Sequence, residues 1–254
     1  MRSLAILATW GGCVALALVA LAGCEVLVGI KDKTLVAADG GPGDAEDPSA
    51  PCSQQPTPYL FCDDFDSELE AGDGWEWILP ADGGTIALDT VRYKTPPRSV
   101  QVTVPSAPGS AQLGYPVGSL TTGYRLAFDL FVDVPDLASI PQVAVAQVLP
   151  AGPSGLQLDY VLGPGSQCAA QLFGSTNATL TLPLPPLRTW TRIVLVYDAV
   201  QGVSILEDGQ TLATSSAVTG PPGATSFIVG AVYSNPPGTA PLVLELDDVV
   251  MRGQ

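Results

Sequence analysis

Histidine is absent from the 254-residue chain, and basic residues are scarce, 10 against 25 acidic, for a net charge of −15. Without imidazole there is no Ser-His-Asp or Cys-His nucleophile system, no histidine general base and no histidine-bearing zinc site. Any metal chemistry falls to carboxylates. No two basic residues are adjacent in sequence, and so acidic a chain repels phosphate backbones, which argues against nucleic acid as a partner. Aromatic side chains make up only 7%, so no broad sugar-stacking platform announces itself. Amphipathic helical windows are also missing, because proline breaks every candidate. What is abundant is punctuation. Glycine (27) and proline (24) together make about a fifth of a chain that is 46% hydrophobic, a balance that suits many short strands separated by turns.

The N-terminus reads as an address. Arg2 is the only charge before Glu25, and Leu4 to Leu21 is an apolar run of 18 residues, long enough to span a bilayer and also suited to the core of a secretory signal. Leu21-Ala22-Gly23-Cys24 closes the run and closely resembles the bacterial lipobox, in which a cysteine after small residues is diacylated and becomes the mature N-terminus. The resemblance implies a signal peptide over 1–23, lipid at Cys24, and attachment to a membrane of the bacterial cell envelope. Glu25 stands where an aspartate would resemble an inner-membrane retention signal, so the outer membrane is favoured. An uncleaved anchor helix is the alternative. From Ala37 to Pro58 the chain carries five prolines, three glycines and four acids in 22 residues. Such a segment cannot bury a core, and 24–58 reads as a lipidated, acidic Pro/Gly tether.

In an oxidising compartment the cysteines left after Cys13 and Cys24 can pair. Cys52 and Cys62 flank the start of the folded part and are the favoured disulfide, with Cys168 as the competing partner. Beyond residue 59 the pattern is almost wholly β. Leu126, Phe128, Leu130 and Val132 alternate with Arg125, Asp129 and Asp133. Thr189 to Asp198 is apolar on both faces from Ile193 to Tyr197, as in a strand covered from two sides. Asp208-Gly209 between two apolar runs is a strong hairpin signal. Further strands are expected at Tyr59–Phe65, Trp75–Leu79, Thr85–Asp89, Ser99–Val104, Gln142–Leu149, Leu156–Leu162, Gln167–Phe173, Ser226–Val232 and Leu242–Met251. This order predicts one all-β domain over 59–254, an antiparallel two-sheet sandwich of jelly-roll type.

Phe61 to Trp77, the hairpin at 189–213 and the closing Leu244 to Met251 together resemble the concanavalin A-like lectin/glucanase domains of the laminin-G-like kind. The resemblance spans the domain by order of strands, although only some forty residues are motif-like. It implies a polysaccharide or glycoconjugate ligand, bound without catalysis. A structural or adhesive envelope module with protein partners is the alternative, and a degenerate glycosidase or lyase a more distant one. Modules of this kind hold calcium where their termini meet, so the resemblance implies a structural calcium at Asp64, Asp66, Asp247 and Asp248. Glu245-Leu246-Asp247 resembles the start of a glycosidase motif, but Val249 and Val250 stand where its further glutamate belongs, so no catalytic residue is assigned. For stacking on sugar rings, Tyr115, Tyr160 and Tyr233 lie beside Gly or Pro loops and are expected to be exposed, while Trp75 and Trp77 share one strand face. Trp190 and Tyr197 are expected in the core. Nothing in the sequence calls for an oligomer, and a monomer is favoured.

Overall fold

The computed structural model describes residues 52, 58–105, 109–134, 142–151, 156–163, 167–173, 177–233 and 241–254, with backbone alone for Gln167, Val232 and Tyr233. The chain divides into two units, Met1–Val36 and Ala37–Gln254, and every described residue belongs to the second. The signal-like run, Cys24 and most of the tether lie outside the described residues.

Alternation of apolar and polar residues builds two antiparallel sheets, and no α-helix occurs among the described residues. The eight-stranded sheet runs β13 (Gln210–Ser215), β12 (Gly202–Glu207), β11 (Thr191–Asp198), β6 (Gly123–Asp133), β15 (Leu242–Gly253), β4 (Ser99–Val104) and β3 (Thr85–Asp89), with β1 (Phe61–Asp63) added on β15. The seven-stranded sheet runs β10 (Ala178–Leu182), β9 (Gln167–Phe173), β8 (Gln157–Gly163), β7 (Val143–Pro150), β14 (Ala224–Tyr233), β5 (Ser110–Leu120) and β2 (Trp77–Ala81). The two sheets face each other as a jelly-roll sandwich. Strands β5 and β10 were not among the expected ones, and the second strand begins at Trp77 instead of Trp75.

The core lies between the sheets. Leu126, Phe128, Leu130 and Val132 of β6 and Ile193, Leu195 and Tyr197 of β11 turn inward from one sheet. Leu158, Tyr160 and Leu162 of β8 and Phe227 and Val229 of β14 meet them from the other. Burial of this apolar area is the main force holding the sheets together. The Asp208-Gly209 hairpin forms as expected between β12 and β13. Both residues are at positive φ (46° and 77°), the requirement of a tight two-residue turn.

First and last strands pair, Phe61 opposite Met251 and Asp63 opposite Val249. Cys52 and Cys62 form a disulfide with a sequence separation of 10, and Cys168 is free and buried. On the chain-entropy argument, closing so short a loop contributes about 2.5–3 kcal/mol. It clips the chain just before β1 to the edge of the sandwich, where Cys52 N–H also donates to Asp64 Oδ2 at 3.1 Å.

Candidate functional site

Strand register aligns one row of residues across the outer face of the seven-stranded sheet. Thr179 lies opposite Gln171, Gln171 opposite Asp159, and Asp159 opposite Gln147. Gln147 lies opposite Ile228, Ile228 opposite Gly114, and Gly114 opposite Trp77. Directly paired residues point to the same side of a sheet, so the row forms one strip of amides, one carboxylate and one indole.

At the edge of this strip, Trp77 lies over Gly114. A Cβ at residue 114 would come within 2.5 Å of the indole Cε3, so only glycine lets the ring settle on the sheet. Trp77 keeps 37% of its surface exposed. In the middle of the strip Asp159 is 6% exposed and accepts from Gln157 Nε2 at 2.9 and 3.1 Å. Burial pushes its carboxyl above the usual carboxylate range, and hydrogen bonds from Gln157 and Gln147 partly restore it. Three glutamines, each half-buried, thus lie around one carboxylate on the outer side of the sheet. This suits hydroxyl recognition, with an aromatic face alongside. Asp159 is the only carboxylate in the seven strands.

The outer face of the eight-stranded sheet is different in kind. The segment between β3 and β4 folds back across it, so that Lys94 N–H and Thr95 N–H donate to Asp247 Oδ2 at 2.8 and 3.0 Å. Beneath this strap Glu245, Asp247, Asp248, Asp129 and Arg192 are almost wholly buried. Arg192 Nη1 donates to Asp129 Oδ2 at 2.8 Å and to the Asp248 carbonyl at 2.7 Å. Gln101 Nε2 donates to Glu245 at 2.9 Å. Arg92 and Arg188 both pair with Asp133, which burial raises but whose carboxyl these two donors hold below the usual range. Burial lifts Glu245 to about 7, Asp247 to about 8 and Asp248 to about 7. These groups face protein, not solvent, and the arrangement is a strap anchored by polar contacts.

The four acids expected to hold calcium are engaged otherwise. Asp64 accepts from the N–H groups of Cys52 and Asp66, and Asp66 accepts from Arg98 N–H. Asp247 spends both oxygens on backbone N–H groups, Oδ1 on Asp248. Asp248 Oδ2 takes the Thr95 hydroxyl at 3.2 Å, and its buried Oδ1 has no hydrogen-bond partner. Calcium asks for six to eight oxygens, and among the described residues no three such side chains converge to hold a metal ion. The residues present do not fit the ion.

The aromatic expectations need four corrections. Tyr160 is fully buried against Phe128, because its side of β8, with Leu158 and Leu162, faces the core, while Asp159 points to the outer face. Tyr115 is half-buried, its ring 4.4 Å from Phe61, and belongs with the core aromatics. Trp75 does not share a face with Trp77. It precedes the strand, is buried beside Phe61, Phe65 and Phe227, and donates its indole N–H to Asp63 at 2.6 Å. Trp190 is half-buried against Phe131 on the outer side of the eight-stranded sheet, while Tyr197 is in the core. The side chain of Tyr233 lies outside the described residues. Of the aromatic residues expected at a sugar site, Trp77 lies on this strip, and Gly114, Gln147, Gln157, Asp159 and Gln171 beside it were not singled out in the sequence. The signal for them was present as lone polar residues in otherwise apolar strands.

No protein-family model matches the chain, and no curated protein matches it in sequence. Solved structures match its fold. An endo-β-1,4-glucuronan lyase from the fungus Trichoderma reesei superposes with a TM-score of 0.59 at 12% identity, over 78% of this chain and 96% of that one. The cellulose induced protein Cip1 superposes with a TM-score of 0.60 at 15% identity, over 76% and 97%. A botulinum neurotoxin type C structure, described as entering cells through two ganglioside molecules, matches with a TM-score of 0.50 at 8% identity, over 69% and 42%. At these identities the likeness establishes the sandwich fold alone.

Proposed function

We propose that the protein is an exported lipoprotein, lipidated at Cys24 and held in the outer membrane of a bacterial envelope, whose sandwich binds carbohydrate without catalysis. The binding surface is the outer face of the seven-stranded sheet. The observation that carries this reading is the strip from Thr179 to Trp77, where half-buried amides on the outer face end at an indole seated on Gly114. Indole faces stack on the apolar faces of sugar rings, and glutamine amides pair with hydroxyls in both directions. Sugar-related names among the structural neighbours agree with this choice of ligand class. The absence of a second carboxylate from the seven strands supports binding over hydrolysis.

On a glycan array probed with the full chain in detergent, selective binding is expected, and Trp77→Ala should weaken it at least about tenfold, or about 1.4 kcal/mol. Gly114→Val should do the same by lifting the indole. Unchanged binding in both variants would remove this face from the reading. No binding to any glycan by folded protein would favour the adhesive module with protein partners. Lipidation is tested separately: Cys24→Ser should abolish incorporation of labelled fatty acid and release the protein from membranes, and persistent lipid labelling would overturn it.

A further inference from the structure

The seven-stranded sheet is almost free of charge in a chain of net charge −15. Its seven strands contain one ionisable acid, Asp159, and no arginine or lysine. The connections 152–155, 164–166, 174–177, 216–223 and 234–241 add no charged residue in sequence, and 64–76, 82–84 and 134–142, which lead into or out of its strands, add only acids. Six of the seven described basic residues belong to the other sheet or its own connections, Arg92, Lys94 and Arg98 between β3 and β4, Arg125 in β6, Arg192 in β11 and Arg252 in β15, and the seventh, Arg188, lies in 183–190, which joins β10 to β11. Arg188 is itself drawn to β6 by its pair with Asp133 at 3.0 Å.

From this distribution we infer that the site selects neutral, hydroxyl-rich glycans and rejects acidic ones such as polyuronates. The inference rests on the carbohydrate-binding reading of the same face. A uronate carboxylate is bound well where arginine or lysine meets it in a charge-assisted pair, and this face supplies none. Laid along the strip, such a carboxylate would be desolvated beside Asp159 with no cation to offset the repulsion. A hydroxymethyl group at the same ring position meets amides that can donate and accept. Burial of Asp159 among Gln147, Gln157 and Gln171 limits screening by salt, so the penalty acts at ordinary ionic strength.

The test uses matched pairs that differ only in charge: β-1,4-glucan and β-1,4-glucuronan oligosaccharides of equal length, with mannan/mannuronan and galactan/galacturonan pairs beside them. Binding of each to the full chain in detergent is read by calorimetry. The neutral member of at least one pair is expected to bind at least tenfold more tightly than its uronate. Asp159→Asn should narrow that ratio, and Gln171→Arg, which places a cation beside Asp159, should narrow it further. The second variant keeps the test informative if the first fails to fold. A uronate that binds as tightly as its neutral partner, and loses binding with Trp77→Ala, would overturn the charge selection while leaving the binding face intact. Failure of every member of every pair to bind folded protein would overturn both.

Discussion

Replacing Arg192 by methionine is expected to cost about 3–5 kcal/mol of stability, the usual consequence of removing one partner of a buried ion pair. Arg192 sits on β11 directly opposite Asp129 on β6, and both side chains are at most 6% exposed. One guanidinium nitrogen serves Asp129 at 2.8 Å and the carbonyl of Asp248 at 2.7 Å, so it ties three neighbouring strands, β11, β6 and β15. Asp248 lies in the bulge that interrupts the pairing of β15 with β6, at φ 46°, a backbone conformation that non-glycine residues adopt only at a cost. Without Arg192 the buried Asp129 loses its cation and its hydrogen-bond donor, and the Asp248 carbonyl loses a donor as well. Urea unfolding would measure the loss. The double variant Arg192→Met/Asp129→Leu should recover part of it, because an apolar pair of similar volume leaves no orphaned charge. A loss under about 1 kcal/mol in the single variant would show that the pair does not hold the strands.

How much of this could be read from sequence depends on which face a residue takes. Strand β6 was legible because Leu126, Phe128, Leu130 and Val132 repeat every second residue and all enter the core. The β12–β13 turn was legible because Asp-Gly satisfies two positive φ values at once. Strand β5 was not, since Gly114, Pro116 and Gly118 look like loop residues. The structure shows that Gly114 is required as the seat of Trp77 and that Gly118 is at φ 75°. Strand β10, Ala178 to Leu182, is short, exposed on alternate residues and followed by proline-rich sequence.

The site failed on a single step of the two-residue period. Choosing Tyr160 for the surface on account of its ring took the wrong face of β8, since Leu158, Tyr160 and Leu162 all enter the core. The acids at 245–248 were legible as a cluster but not as a buried one. The strap that covers them comes from residues about 150 positions away along the chain, through Lys94 and Thr95. No local pattern records such a contact.

That covered cluster sets the expected pH dependence. Burial pushes Glu245 to about 7 and Asp247 to about 8, and outside that cluster burial and the charge of Asp63 push Glu68, in the segment between β1 and β2, to about 9. Asp248 reaches about 7 through burial and the nearby Asp129. In the unfolded chain these carboxyls titrate near pH 4. The native state therefore binds more protons than the unfolded state between pH 4 and about 9, and stability must fall with rising pH across that window. The contribution is fully present below about pH 4 and is lost as pH climbs through 7 to 9. Asp133, held low by Arg92 and Arg188, acts in the opposite sense, and its gain is complete once pH exceeds the ordinary carboxylate range. A single carboxyl held two pH units above its ordinary value corresponds to about 3 kcal/mol, or about 6–12 °C in Tm for a domain of this size. Thermal melts from pH 4.5 to 9.5 should show a decline of that order. Glu245→Gln and Asp248→Asn should flatten it, because an amide fills the same volume and does not ionise. A Tm that rises between pH 5 and 9 would mean that the acids beneath the strap are ionised in the folded protein, with water or a cation reaching them.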